Sequence, residues 1–225
     1  MNNLIFVALS TFAAEDRRPL DLLASSGYPY KIHSTGKRIT TPELLQDGID
    51  ASVILAGVET YDDPTLLKLP TLRCISRCGV GVDSIDLTMA KQRGIVVANT
   101  PTIPIEAVAE LALTMFLALS RNIQLQANLM QARRWERLST HLLAGRTVGL
   151  IGLGRIGQHV AQLCRAFNAN VIACDPMADA TIARNLEVNL VTLEKLLAES
   201  DIVSLHASKN AEQQVLIGSS ELATM

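Results

Sequence analysis

The 225-residue chain lacks an excess of charge of either sign, since 20 Lys and Arg stand against 22 Asp and Glu for a formal net charge of −2. A surface that tracks nucleic-acid phosphates shows as a basic excess, so nucleic acid is not an expected partner. Its four cysteines, Cys74, Cys78, Cys164 and Cys174, fall at no metal-ligand spacing. A chain of this length needs no disulfide staples, and a reduced, cytoplasmic setting is the expectation. None of the four histidines, His33, His141, His159 and His206, has a metal-ligating partner at useful spacing. No run reaches the ~18 apolar residues of a membrane span. The start, "MNNLIFVALSTFAAEDRR", holds an apolar run of signal-peptide length without a basic region ahead of it, and the same run reads as a first buried strand. Low-complexity segments and internal repeats are also missing. What remains is 48% hydrophobic, enough for a sizeable core, and small molecules are the natural partners.

Apolar, β-branched runs alternate with helical-period segments. "LIFVAL", "YPYKIH", "ASVILAG", "LRCISR" and "GIVVAN" read as strands, with "RRPLDLLASS", "TPELLQDG", "DPTLLKL" and "DLTMAKQRG" as helices or turns between them. This is the rhythm of an α/β fold with a parallel sheet covered on both faces. It breaks after Pro101 and Pro104, where a helix much longer than any before it carries Ala107, Ala109, Leu111, Ala112, Met115, Phe116 and Leu119 as a wide apolar surface. Such a helix suits a domain boundary, placed at 1–99 and 100–225. After Trp135 the alternation resumes with "RTVGLIG", "GQHVAQLCRAF", "NVIACD", "TLEKLLAES", "DIVSLHA" and a terminal helical segment in "VLIGSSELATM".

The chemistry lies in "TVGLIGLGRIGQHVAQLCRAFNANVIACDP", where Gly152, Gly154 and Gly157 form G-x-G-x-x-G directly after a strand and before a helix. The first glycine permits the tight turn, the second lets a pyrophosphate approach the backbone, and the third lets helix and strand pack closely. Exposed N–H groups and the positive end of the helix dipole then face the phosphates. Asp175 ends the next strand, at the offset of about twenty residues where an acid accepts hydrogen bonds from the adenosine ribose. Pro176 and Met177 follow it with no arginine to hold a 2′-phosphate, which favours NAD over NADP. A P-loop would need Lys followed by Ser or Thr after the glycines, and Arg155-Ile156 does not supply it. A Rossmann methyltransferase shares the glycine-rich turn and the acid, but would not need the upstream domain.

The stretches "ISRCGVGVDSIDLTMAKQRGIVVANTP", "EAVAELALTMFLALSRNI", "LAGRTVGLIGLGRIGQHVA", "CDP" and "SDIVSLH" occur in order, and in them the chain resembles the D-isomer-specific 2-hydroxyacid dehydrogenases, within them the D-3-phosphoglycerate-dehydrogenase-like branch. The resemblance implies a flavodoxin-like substrate domain followed by a Rossmann NAD-binding domain. The implied reaction is hydride transfer between NAD and a 2-hydroxy or 2-oxo acid, with 3-phosphoglycerate as one candidate. It implies that the turn Gly79-Val80-Gly81 offers N–H groups to the substrate carboxylate, as Gly-rich turns do for anions. It also implies that Thr102 approaches the nicotinamide, that Arg155 and Ile156 cover the pyrophosphate, and that Leu205 and His206 line the cofactor cleft. His206 would be a cleft residue rather than the acid or base. Beyond it the family carries a proline and then a threonine where this chain has Ser208 and Asn210.

Oxidising a 2-hydroxy acid needs a hydride acceptor, a base and a cation. By the resemblance the family's arginine, glutamate and histidine fall beyond residue 225, so no catalytic residue is expected within the chain. Two expectations follow: a piece of a working dehydrogenase that pairs as a homodimer through the helix after Pro104, or a truncated, inactive NAD-binding remnant.

Overall fold

The computed structural model describes residues 3–33, 35–102, 104–208 and 215–225. The chain divides into two compact units, Met1–Pro104 and Ile105–Met225.

The first unit contains β1 (Ile5–Val7), α1 (Arg18–Ser25), β2 (Tyr30–Ile32), α2 (Thr41–Asp47), β3 (Val53–Ala56), α3 (Asp63–Leu67), β4 (Cys74–Arg77), α4 (Leu87–Gln92) and β5 (Val96–Asn99). The five strands form one parallel sheet in the order β2-β1-β3-β4-β5, the flavodoxin-like winding. The first apolar run is β1, with Phe6 and Val7 fully buried. Ile54 on β3 stands beside Ile75 on β4, both without solvent contact, because helices cover both faces of such a sheet. Local chemistry starts the helices. The Thr40 hydroxyl accepts the Glu43 N–H while the Glu43 carboxylate accepts the Thr40 N–H, and Asp62 and Asp86 cap α3 and α4. Cys78 is exposed just past the end of β4, whereas Cys74 is half-buried on the strand.

The second unit contains α5 (Ile105–Ser120), α6 (Ile123–Gln131), β6 (Thr147–Ile151), α7 (Arg155–Ala166), β7 (Asn170–Cys174), α8 (Ala180–Asn185), β8 (Asn189–Leu190), α9 (Leu193–Glu199), β9 (Ile202–Leu205) and α10 (Ser219–Thr224). Its described strands form a second parallel sheet, β8-β7-β6-β9. The long helix after Pro104 ends at Ser120, and Asn122 in the left-handed conformation separates it from α6. Its apolar surface is two-sided. Ala109, Ala112, Leu113 and Phe116 join the core with Val160, Ala161 and Cys164 of α7, whereas Leu111, Met115 and Leu119 face solvent. Phe167 does not share the buried face of α7, because it sits at the helix C-cap and is exposed. The short β8 and α8 carry no strong apolar period in the sequence, and α8 is set by Asp179, whose carboxylate accepts the Thr181 and Ile182 N–H groups. Asn210 lies outside the described residues.

Candidate functional site

In the second unit the glycine turn leaves the carboxyl end of β6, between neighbours β7 and β9, where the strand order reverses and α/β sheets bind their ligands. Gly152 has φ +96°, and a β-carbon there would lie 2.5 Å from the Ala207 nitrogen. A β-carbon at Gly157 would lie 2.2 Å from the Gly152 carbonyl oxygen. These two glycines close the turn on itself. Gly154 differs, because a β-carbon there meets nothing within 4 Å. It is also the N-cap of α7, and no side chain caps that helix. The free N–H groups of a helix start and an open space directly in front of them are what a pyrophosphate needs, so the turn fits a dinucleotide.

Asp175 follows β7 and holds the turn in place. Its Oδ2 accepts the Leu153 N–H at 2.8 Å and its Oδ1 accepts the Met177 N–H at 2.8 Å. Each oxygen keeps a further acceptor direction for a ribose hydroxyl. Arg155 opens α7 and is exposed, Ile156 is half-buried against the core, and Pro176 is exposed. Leu205 ends β9 with more than half its surface exposed. His206 follows: its N–H donates to the Ile151 carbonyl at 2.7 Å and its Nε2 lies 2.9 Å from the Ser204 hydroxyl. Burial pushes the His206 pKa below the usual imidazole value, which keeps the ring neutral near pH 7. Burial likewise raises the Cys164 thiol to about 11, so it packs as a protonated, inert group.

In the first unit the segment after β4 carries the second glycine turn. Gly79 has φ +148°, and the place of its missing side chain is filled by the Arg77 guanidinium, 1.9 Å from a β-carbon built there. The Gly79 N–H donates to the Thr100 hydroxyl at 2.8 Å, and the Thr100 N–H returns to the Gly79 carbonyl at 3.0 Å. Among the described residues the N–H groups of Val80 and Gly81 have no such acceptor. Asn99 pins the turn by donating to the Val80 carbonyl at 2.7 Å. Thr102 is exposed on the bend after β5.

Sequence reasoning missed Arg77 and Thr100. Arg77 ends β4, its Nε is buried without a partner among the described residues, and it lines a 370 Å³ cavity with Leu9, Phe12, Leu55, Cys78 and Thr100. The cavity opens at the carboxyl ends of β1, β3 and β4, at the reversal of strand order between β1 and β3. A cation directly ahead of a Gly-x-Gly turn at a strand end was the available signal.

The model of the family described as "D-isomer specific 2-hydroxyacid dehydrogenase, NAD binding domain" matches residues 113–225. The chain belongs to this family. Within the family it is 36% identical over 218 residues to a D-3-phosphoglycerate dehydrogenase of Mycobacterium bovis, covering 91% of this chain and 41% of that protein. It is 40% identical over 198 residues to a hydroxypyruvate reductase of Thermotoga maritima, covering 87% and 64%. Among solved structures, the D-lactate dehydrogenase of Aquifex aeolicus complexed with NAD and lactic acid superimposes with a TM-score of 0.81 at 28% identity, covering 99% of this chain and 66% of that one. The chain thus spans about two fifths of the length of the first curated relatives it matches. The family match removes the methyltransferase alternative and identifies the cofactor of the second unit as NAD. Among the described residues, no helix is long and apolar enough to cross a membrane.

Proposed function

We propose that the chain serves an NAD-dependent oxidoreductase that moves a hydride between the nicotinamide and a 2-hydroxy or 2-oxo acid. NAD supplies the hydride acceptor, and the chain's own residues bind and orient. The single observation that carries the reading is the open, uncapped start of α7 in front of Gly154. There the Arg155 to Gly157 N–H groups receive the pyrophosphate, and Asp175 receives the ribose hydroxyls while bracing Leu153. Leu205 and the neutral His206 border the cofactor, His206 as a hydrogen-bonding wall rather than a proton carrier.

On the substrate side, Val80 and Gly81 receive the carboxylate through their N–H groups and Arg77 balances its charge, while Gly79 serves to hold the turn to Thr100. Thr102 belongs to the segment that approaches the nicotinamide. Relatives are named for 3-phosphoglycerate, hydroxypyruvate and lactate, so the shared substrate class is the small 2-hydroxy acid. The working setting is cytoplasmic. Two copies pair through the solvent face of α5 and α6, where Leu111, Met115 and Leu119 stand one turn apart on α5 and Ile123 opens α6, each at least half exposed.

Calorimetric titration with NAD and with a methyl donor tests the cofactor reading, with NAD binding expected and the methyl donor inert. Sedimentation of Met115→Asp against the parent tests pairing, with weaker self-association expected for the variant. A chain that ignores NAD while its fold is intact would refute the proposal.

A further inference from the structure

The cavity at the carboxyl ends of β1, β3 and β4 has a mainly apolar lining. Leu9, Phe12, Ala13, Pro19 and Leu55 form its walls, and Thr11, Ser76, Thr100 and the Cys78 thiol supply uncharged polar atoms. Among the described residues Arg77 is the one ionised side chain in the lining, and its guanidinium also donates to the Cys78 carbonyl. The same guanidinium packs into the side-chain space of Gly79, beside the turn whose Val80 and Gly81 N–H groups lack an acceptor among the described residues. One cation and two amides suffice for one carboxylate. A phosphate group carries close to two negative charges and three acceptor oxygens, and would require a second set of cations or amides deeper in the cavity. The basic residues that follow the Leu9–Ala13 segment are engaged elsewhere: Arg17 pairs with Asp21 and Arg18 with Asp16, both in solvent.

We infer that this cavity takes the side chain of an unphosphorylated, apolar 2-hydroxy or 2-oxo acid, with the acid's carboxylate held at Arg77 and the Val80-Gly81 turn. The inference rests on the proposed substrate role of the first unit. The apolar walls favour a branched or linear alkyl group, since each methylene removed from water adds stabilisation that a charged group would forfeit. The cavity volume of 370 Å³ accommodates a side chain of several carbons without rearrangement.

Saturation-transfer NMR on the full chain with excess NAD, titrated in parallel with 4-methyl-2-oxopentanoate, 3-phosphoglycerate and inorganic phosphate, tests this. The alkyl oxo acid is expected to bind at least tenfold more tightly than 3-phosphoglycerate, with phosphate inert. Phe12→Ala, which removes wall without touching the carboxylate turn, should weaken the alkyl acid severalfold and leave 3-phosphoglycerate unchanged. Thr11→Arg, at an exposed rim position, should raise affinity for 3-phosphoglycerate by supplying the missing cation. Equal or tighter binding of 3-phosphoglycerate by the parent chain overturns the inference while leaving the substrate role of the unit standing. Failure of every acid to bind a chain that still binds NAD overturns both.

Discussion

Replacing Gly154 by Ala separates the folding role of the glycine turn from its binding role. A β-carbon at residue 154 meets nothing within 4 Å, and the backbone there, φ −70° and ψ −169°, is open to any residue. Alanine is a poorer N-cap than glycine by up to about 1 kcal/mol, but it restricts the unfolded chain by about 0.4 to 1 kcal/mol, and the two effects offset. Stability should therefore stay within about 0.5 kcal/mol of the parent. The new methyl group stands where the pyrophosphate must sit, and displacing the phosphates removes charge-assisted hydrogen bonds of about 1.5 to 3 kcal/mol each. NAD affinity should fall by roughly 10- to 150-fold for one bond lost. Gly157→Ala is the contrasting control: its β-carbon would stand 2.2 Å from the Gly152 carbonyl, an overpacking that costs about 1 to 3 kcal/mol before any ligand is added. Urea unfolding and calorimetric NAD titration of both variants measure the two quantities. A Gly154→Ala protein that is clearly destabilised, or that binds NAD as the parent does, would refute the assignment of the open space to the phosphates.

Three further outcomes are expected. The Asp201 carboxyl is held below the usual carboxylate pKa, first by the Thr147 N–H and then by Arg146, so its stabilisation is complete above about pH 4 and is lost as pH falls through its folded-state value. Asp201→Asn should accordingly flatten the acid limb of a stability-against-pH curve, and an unchanged limb would exclude the contribution. Leu150→Ala, at a fully buried position of β6, should lower unfolding free energy by about 2 to 5 kcal/mol in urea titration. Asp175→Ala frees the Leu153 and Met177 N–H groups, so it should weaken NAD binding and also speed amide exchange at both positions, a second effect that loss of a ribose contact alone would not produce.

The alternation of strands and helices was legible because strands such as β3, β4, β6 and β7 are short apolar runs bounded by polar turns, whereas the order of the strands followed only from the family resemblance. The glycine turn was legible for a related reason, as Gly152 and Gly157 are fixed by backbone contacts that no other residue type allows. The sidedness of α5 was not. Its apolar residues run round the helix, and only the position of α7 decides that Ala112 is buried and Leu111 exposed. The short α8 and β8 depend on a cap at Asp179 and on pairing with β7, neither of which leaves an apolar period. Within the Gly79-Val80-Gly81 turn, the sequence could not tell which N–H groups stay free, because the Thr100 hydroxyl that engages Gly79 comes from the far end of β5. Arg77 escapes a sequence reading for the same kind of reason, since its guanidinium meets the Cys78 carbonyl and the space of the missing side chain two residues on, both set by the fold of the turn.

That pairing of an arginine with an empty position ties residues 77 and 79 together over evolutionary time. Any side chain gained at 79 would displace the guanidinium, and the positive φ there strains such a residue in addition. A homologue lacking glycine at the position of Gly79 is therefore expected to have moved or given up the arginine, whereas the glycine, required by its own φ, is expected to outlast the loss of the arginine.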